Sequence, residues 1–363
     1  MAQQNHLKKI GIWIVLLVII IGGSTLLFSM VKGSSTETKL SKTVLSSTTT
    51  LPTKALISDN GYYAPQTFNN CGEAALSMEL SFFNVNVSQE ELASILRPDN
   101  NTTGKNDDKS TPPDEIAAQA ETYGLIAYFR PGGSVGKLKQ LIAAGFPVLV
   151  RSLYLPTEDY AHYRVIKGYD DTKGVFIDED GIQGENFPIS YTDFMNLWKP
   201  FDDEYIVLTP PDKKAEVEAI LGSAADTTTA WQNAASAIPS SSIDSIDQFN
   251  LSVALYYTGD YQGSVNAFEK AEPTLSEHAL WYQIEPIESY YELGEYDKVF
   301  SLANSIIDNG NPAYPELYVV EGESYLKQGN TTAAKTAFET ALQYNKNLKS
   351  AEEGLKETLS LKN

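Results

Sequence analysis

The single cysteine of this 363-residue chain, Cys71, lies in the stretch Gln66-Thr-Phe-Asn-Asn-Cys71-Gly-Glu-Ala-Ala. The pattern predicts a polar loop that leads into the first turn of a helix. Unpaired backbone N–H groups at a helix N-terminus carry partial positive charge, which favours a thiolate and lowers its pKa. A lone cysteine has no internal disulfide partner. These features predict a reactive thiol, and a buried inert cysteine is the alternative.

A histidine and a carboxylate have a spacing that suits such a thiol. Of three histidines, only His162 shares a predicted domain with Cys71. His162 begins the first strand of a predicted hairpin, and Asp178 ends the second. The two are symmetric about Asp170, so a regular hairpin sets them side by side, where a carboxylate can orient an imidazole. A bulge or a one-residue slip would break this pairing. The spacing predicts nucleophilic catalysis by a Cys–His–Asp set, and a purely structural histidine is the alternative.

The elements that must position these residues fall between about residues 58 and 209. Helices are predicted at 72–83, 88–96, 112–123 and 134–144, from capping signals, apolar periodicity and terminal glycines. Strands are predicted at 146–154, 162–168, 175–178 and 203–208, from apolar and β-branched runs. Helices first and an antiparallel sheet second indicate an α+β domain. Residues 210–244 are predicted to form a helix and a linker.

From about residue 245 the chain repeats itself. The turns beginning at Gly259, Gly294 and Gly329 recur every 35 residues. A period near 34 with glycine between two helices resembles tetratricopeptide repeats. About three copies cover residues 245–348 of the region 245–363, and Pro286 is expected to kink the first helix of the second copy. The resemblance implies an all-α solenoid that binds a protein partner. Generic helical hairpins are the alternative.

The N-terminus carries a candidate membrane anchor. Residues 10–31 contain no charged side chain, and at about 1.5 Å per residue they span a bilayer core of roughly 30 Å. Lys8 and Lys9 precede the run and Lys32 follows it. The positive-inside rule therefore places residues 1–9 in the cytoplasm and the bulk of the chain outside a single-pass cell-membrane anchor. A cleaved signal peptide is the alternative. Residues 32–57, rich in Ser and Thr, are predicted to be a flexible linker.

Composition argues against several other classes of function. The formal net charge of −20 argues against nucleic acid, whose binding needs a cationic surface. The sequence has neither Cys/His zinc spacing nor a phosphate-binding Gly-x-x-x-x-Gly-Lys-Ser/Thr motif. No metal or cofactor is therefore expected.

Four stretches of the chain resemble one family. They are Asn-Asn-Cys-Gly-x-Ala-Ala-Leu-x-Met, Gly-Phe-Pro-Val-Leu-Val, Ala-His-Tyr-Arg-Val-Ile-Lys-Gly-Tyr-Asp-Asp and Val-Phe-Ile-Asp. These stretches are similar to blocks of the C39-like cysteine peptidases, compact papain-fold domains. The resemblance covers residues 58–209. It implies a peptide or protein substrate, with Cys71 as nucleophile, His162 as base, Asp178 as the orienting acid and Gln66 as a donor to the oxyanion.

The chain departs from the family pattern at Glu73 and Glu179, where proline is common. A carboxylate close to the thiol opposes its ionisation. The leading hypothesis is a membrane-anchored, outward-facing cysteine peptidase whose repeats recruit a protein partner or substrate. The alternatives are a catalytically inactive scaffold that binds peptides or proteins, and a thiol acyltransferase that passes its thioester to an amine.

Two further residues have a predicted place. Asn186 is a second candidate for orienting the imidazole, but its glycine-containing surroundings favour a turn. Trp198 is predicted to pack in the core against the sheet, with a substrate wall as the alternative.

Overall fold

The computed structural model describes residues 50–58, 61–98 and 111–361. The predicted cytoplasmic segment, the predicted membrane helix at 10–31 and most of the predicted linker lie outside these ranges. Within the ranges, no helix combines the length and the apolar character that crossing a bilayer requires.

Residues 54–209 form a domain built on one antiparallel sheet, here called the sheet domain. Its strands are β1 (Lys54–Leu56), β2 (Ile126–Arg130), β3 (Val148–Leu153), β4 (Ala161–Asp170), β5 (Val175–Asp180), β6 (Gly184–Ser190) and β7 (Tyr205–Thr209). The strand order is β2-β7-β3-β4-β5-β6, and β1 pairs with the second half of β4. The long β4 thus lies near the middle of the sheet, between β3 and β5.

Helices cover both faces of this sheet. They are α1 (Cys71–Ser81), α2 (Gln89–Leu96), α3 (Pro113–Glu121), α4 (Val135–Ala143) and α5 (Tyr191–Trp198). The first three pack with Leu149 and Val165 in one core, and α4 and α5 pack with Val148 and Val150 in the other. Because side chains alternate along a strand, β3 supplies both cores.

Local sequence signals explain where the predicted helices begin and end. The Ser88 side chain accepts a hydrogen bond from the Glu91 N–H at 3.1 Å, and Ser134 caps α4 in the same way. Gly124 and Gly145 have φ of 83° and 90° just after α3 and α4, a conformation that favours glycine. The four predicted helices are confirmed within one or two residues of their bounds.

Three strands and one helix of the sheet domain were not predicted from the sequence. These are β1, β2, β6 and α5. Strand β6 contains Pro188 and begins at Gly184, residues that normally argue against a strand, but it lies at an edge of the sheet where proline is tolerated. The apolar pattern alone therefore underestimates the sheet.

Helices make up the rest of the described chain, here called the helical region. They are α6 (Lys214–Leu221), α7 (Thr227–Ala237), α8 (Ser245–Tyr257), α9 (Tyr261–Ala271), α10 (Glu285–Glu292), α11 (Tyr296–Asp308), α12 (Pro315–Lys327), α13 (Thr331–Tyr344) and α14 (Lys349–Ser360). Helices α8 to α13 form three consecutive hairpins. The glycine that joins each pair, Gly259, Gly294 or Gly329, has φ between 76° and 80°, which confirms the predicted turns.

Pro286 does not kink a helix, contrary to the prediction. Helix α10 begins at Glu285, so Pro286 occupies its first turn. A proline is well placed there because its missing N–H has no partner to lose. The second hairpin thus starts with a shorter helix.

Small residues let the last helices approach closely. A Cβ atom added to Gly322 in α12 would lie 2.7 Å from the ring of Phe338 in α13, and one added to Gly354 in α14 would lie closer still. Phe338 is fully buried. The glycines are therefore required by packing at this crossing.

The sheet domain and the helical region pack into one compact unit. Buried Arg151 donates to the Tyr282 carbonyl at 2.9 Å and to the Glu204 carboxylate at 2.6 Å. At the other end, the Asn345 side chain donates to the Leu96 carbonyl at 2.9 Å, and Asn347 donates to the Ser94 and Ile95 carbonyls. The last hairpin is thereby attached to the end of α2.

Candidate active site

Cys71 is the first residue of α1 and is half-buried. The backbone N–H groups of Gly72 and Tyr163 lie near its sulfur and act to lower its pKa. Tyr163 follows His162 directly in β4. The N-terminus of α1 therefore lies against β4 at the residue that follows His162.

The His162 ring is held by a carboxylate and by an aromatic ring. The side chain is 2% exposed, and its Nε2 lies 2.9 Å from Oδ1 of Asp180. The Tyr154 ring packs edge-on against it with centroids 5.4 Å apart. Burial lowers the pKa of His162, although the hydrogen bond and the charge of Asp180 oppose this shift. Because an ionised carboxylate only accepts, the proton of neutral His162 lies on Nε2, and Nδ1 carries a lone pair.

Asp180 is fully buried and well supplied with donors. Besides His162, its Oδ1 accepts from the N–H groups of Ile182 at 2.8 Å and Gln183 at 2.9 Å. Burial alone would raise the pKa of Asp180, but the hydrogen bond and charge of His162 and the charge of Arg164 outweigh it and hold that pKa at about 2. The carboxylate is therefore ionised at neutral pH.

The predicted pairing of His162 with Asp178 is wrong. In the observed register Ile166 faces Asp178, and the register shifts between Ile166 and Gly168. Strand β4 runs as far as Asp170, so the turn is centred beyond that residue, and the carboxylate nearest His162 comes two positions later, at Asp180. A shift of two residues keeps the same face of the sheet.

Asp178 instead lies beside Arg164, with Oδ2 3.5 Å from the guanidinium. Burial raises the pKa of Asp178 to about 8, although the charge of Arg164 opposes the shift. The sequence did contain the signal for Asp180, since Asp178-Glu-Asp180 offers two acids on one face of a strand. The length of β4 and its bulge, which decide between them, could not be read from the residues.

Gln66 lies in the loop that leads to Cys71. Its backbone N–H donates to the Gly181 carbonyl at 3.0 Å, and a Cβ atom on Gly181 would lie 3.0 Å from the Gln66 Cβ. The Tyr63 hydroxyl donates to the Asp180 carbonyl at 2.8 Å. The loop before the cysteine is therefore fastened to the segment that carries Asp180.

Three buried polar atoms of this loop have no hydrogen-bond partner among the described residues. They are Oε1 of Gln66, Nδ2 of Asn69 and Oδ1 of Asn70. Most buried polar atoms in proteins are paired. The unpaired amide of Asn69 was not predicted, although the Asn-Asn pair directly before the cysteine was visible.

The thiol is not ionised in this site, contrary to the expectation from the helix terminus. Burial raises the pKa of Cys71 to about 12, the charge of Glu73 adds to the shift, and the two N–H donors oppose it. Glu73 is itself fully buried, accepts from the Thr111 hydroxyl at 2.9 Å, and has a pKa that burial raises. Desolvation thus outweighs the helix terminus, and the resting pair is a neutral thiol and a neutral imidazole.

Comparison with known families decides which kind of domain this is. Residues 57–206 match the model of the Peptidase_C39 like family, and residues 315–348 match a tetratricopeptide repeat model. The chain carries a Peptidase_C39-like domain followed by a tetratricopeptide repeat. A search of curated proteins finds no match for the chain.

The Peptidase_C39-like match contains every residue of the candidate site: Gln66, Cys71, His162 and Asp180. The tetratricopeptide match covers α12 and α13, the third hairpin. Among the described residues, no group of His, Cys, Asp and Glu side chains is arranged to hold a metal ion.

The two remaining predicted residues lie away from the imidazole contacts. Trp198 is fully buried and donates to the Glu204 carbonyl at 2.7 Å, so it packs in the core as predicted. Asn186 is exposed in β6 with φ of 55°. The carboxylate that contacts the His162 ring is that of Asp180.

Proposed function

We propose that the chain is a cysteine peptidase, anchored in the cell membrane by residues 10–31, with its Peptidase_C39-like domain on the outer side. Cys71 is the nucleophile, His162 the base, Asp180 the orienting carboxylate and Gln66 an oxyanion donor. The repeats bind a protein partner or the substrate protein.

One arrangement carries this proposal. The Cys71 sulfur lies near the N–H of Tyr163, and His162, the residue before Tyr163, directs Nε2 at the buried, ionised Asp180. With Nε2 engaged, Nδ1 is the nitrogen that can exchange a proton with the sulfur. A nucleophile, a base and a group that orients the base are the parts that thiol catalysis needs.

The neutral resting pair sets the order of events. His162 takes the thiol proton as sulfur attacks the peptide carbonyl carbon, and Asp180 stabilises the imidazolium that forms. The tetrahedral oxyanion is met by the Cys71 N–H and the Gln66 amide. The imidazolium then gives its proton to the leaving amine, which leaves a thioester on Cys71. Water, deprotonated by His162, attacks the thioester, releases the acid and restores the thiol.

The loop before Cys71 also supports a substrate at this place. The buried, unpaired Nδ2 of Asn69 and Oδ1 of Asn70 suit a carbonyl and an N–H group of an extended peptide, which would pair them.

The decisive experiment compares the full chain with its Cys71→Ala and Cys71→Ser variants on a mixed peptide library, with products identified by mass spectrometry. We expect Cys71→Ala to lower kcat by on the order of 10⁴-fold or more, with an unchanged melting temperature. Full turnover by the alanine variant would refute the assigned nucleophile. Adding a primary amine distinguishes hydrolysis from acyl transfer, because transfer leaves the amine on the product.

A catalytically inactive scaffold is the rival, and the high thiol pKa beside Glu73 favours it. The enzyme and the scaffold differ in how fast Cys71 reacts with a peptide-like reagent. They do not differ in its reaction with small alkylating agents, because a neutral thiol is alkylated slowly in either case. A peptidyl chloromethyl ketone binds as a substrate does and places its chloromethyl carbon next to the Cys71 sulfur. Rapid, His162-dependent labelling by this reagent, with slow labelling by iodoacetamide, supports the enzyme, whereas slow labelling by both supports the scaffold.

A further inference from the structure

A cavity of about 350 Å³ lies between the sheet domain and the helical region. Leu153 and Phe201 line it from the first, and Phe249, Leu275 and Ala279 line it from the second. Protein interiors rarely leave voids larger than a water molecule, and small-molecule pockets begin at roughly 300 Å³. The size and the mainly apolar lining therefore suit a bound group.

The cavity borders the start of β4, the strand that carries His162. Its lining residue Leu153 pairs across the sheet with Ala161, which precedes His162. The hydroxyl of its lining residue Tyr282 lies near the Ala161 N–H of the same strand. Tyr154, which follows Leu153, packs on the His162 ring. A peptide whose scissile bond lies at Cys71 can therefore extend the side chain of a neighbouring residue toward this cavity.

One polar side chain of the cavity wall lacks a partner. Gln283 is 1% exposed, and its Nε2 has no hydrogen-bond partner in the described part of the chain. The carboxylate in the wall is already engaged, because Asp159 lies 2.7 Å from Nδ1 of His278 and accepts from the Ser276 hydroxyl. A buried amide donor without a partner calls for an acceptor such as a peptide carbonyl.

We propose that this cavity is a substrate subsite for one large apolar side chain, of leucine or phenylalanine size, in the peptide cleaved at Cys71. Rotation of the Gln283 side chain toward the cavity lets its amide donate to a carbonyl of that peptide. The inference rests on the proposed peptidase function and assigns the first two helical hairpins a direct part in substrate choice, since α8 and the segment before α10 form half of the wall.

A binding experiment tests the subsite without turnover. The probes are N-acetyl-phenylalaninamide and N-acetyl-glycinamide, and the protein is the full chain with Cys71→Ala, observed by saturation-transfer NMR. We expect the phenylalanine amide to bind and the glycine amide to bind at least about tenfold more weakly. Ala279→Phe, which fills the cavity, should raise the Kd of the phenylalanine amide about tenfold or more. Ala333→Phe on α13, a half-buried alanine away from the cavity, is the matched control and should not.

A cleavage experiment then separates the subsite from the peptidase activity. With Cys71 intact, a positional peptide library should show one position that prefers Leu or Phe over Ala by about tenfold. Ala279→Phe should reverse that preference toward Gly and Ala, while peptides with small residues are still cut. Gln283→Met keeps the length of the side chain and should raise KM several-fold without a matching loss of kcat. Circular dichroism shows whether each variant is folded, and Gln283→Met provides the test if Ala279→Phe is not.

Equal binding of both amides, or binding unchanged by Ala279→Phe, would overturn the subsite. Cysteine-dependent cleavage with no apolar preference would overturn the subsite and leave the peptidase assignment intact. Binding in the expected pattern with no cysteine-dependent cleavage would instead overturn the peptidase and with it the substrate role of the cavity.

Discussion

The sheet domain and the helical region differ in how they bury charge. On β4 and β5, six acidic or basic side chains are at most 2% exposed: His162, Arg164, Lys167, Asp178, Glu179 and Asp180. They lie in pairs of opposite sign, such as Lys167 with Glu179 and Arg164 with Asp180. Desolvating charges costs free energy that only well-placed partners recover. In the sheet domain this desolvation cost falls on β4, the strand that carries His162.

Most buried polar side chains of the helical region are neutral, and its buried carboxylates Glu285 and Glu321 accept hydrogen bonds from the neutral side chains of Tyr257 and Asn304. Ser252, Ser264 and Ser289 form a buried hydrogen-bonded chain with distances of 3.0 and 2.7 Å. The helices otherwise meet through small residues and rings, such as Gly322 against Phe338. The comparison teaches that the sheet domain depends on the position of each charge, whereas the helical region depends on the fit of its surfaces.

The largest expected effect lies within the charged group. Asp180→Asn removes the charge that stabilises the His162 imidazolium and also presents an N–H group to Nε2, so kcat should fall by on the order of 10²- to 10⁴-fold. Asp178→Asn is the matched control two residues away. Because the pKa of Asp178 is raised to about 8, that side chain is largely neutral at pH 7, and the amide should lower kcat no more than about threefold. Steady-state kinetics on one peptide checks both, and the reverse order of effects would return the orienting role to Asp178.

The second prediction compares a buried and an exposed charge between the two regions. Arg151→Met removes the partner of the fully buried Glu204 and the donor to the Tyr282 carbonyl, so the free energy of unfolding should fall by about 3 kcal/mol. Lys199→Met removes the partner of Asp244 and Asp247 from a side chain that is 45% exposed, and should cost about 0–1 kcal/mol. Urea unfolding gives both values. Similar losses of unfolding free energy in the two variants would show that burial does not determine how much these contacts stabilise the protein.

The third prediction concerns shape in the helical region. Gly322→Ala places a Cβ against the Phe338 ring and should lower the free energy of unfolding by about 1–3 kcal/mol through overpacking. Gly322→Ala paired with Phe338→Leu should recover part of that loss, because the ring is removed. Thermal melts measure the effect, and kcat at saturating peptide should not change. A loss of kcat in the folded Gly322→Ala variant would contradict the division between the two regions.

The smallest expected effect is in the pH profile. Since burial lowers the pKa of His162 and raises that of Cys71 to about 12, the neutral pair persists from below about pH 6.5 to well above pH 8. The value of kcat/KM should fall about tenfold per pH unit below the His162 pKa, where the base becomes protonated, and stay level up to about pH 10. A decline between about pH 8 and pH 9 would instead indicate a thiolate–imidazolium pair.

The sequence predicted the helices of the sheet domain well because their signals are local. Ser88 and Ser134 cap helices, and glycines end them, with partners three or four residues away. The turns of the three hairpins were predictable for the same reason, since each depends on one glycine in a left-handed conformation. Cys71 could likewise be placed at the start of a helix.

The choice of acid and the state of the thiol could not be predicted because they depend on distant contacts. Asp180 rather than Asp178 meets His162 because β4 runs to Asp170 and carries a bulge, and no single stretch of residues records that register. The thiol is neutral because the fold desolvates the sulfur of the half-buried Cys71 and places the charge of Glu73 near it. A rule based on local charge includes the effect of the helix terminus on the thiol pKa but leaves out the effect of desolvation.

The hydrogen bonds from Asn345 and Asn347 to the carbonyls of α2 link residues some 250 positions apart along the chain. During synthesis α2 emerges long before the hairpin that completes its C-terminal end. The first domain therefore reaches its final hydrogen-bonded state only after the last repeat has been made. Any shortened form that stops before Asn345 removes these donors from the Ser94, Ile95 and Leu96 carbonyls, so removing the end of the molecule should loosen its beginning.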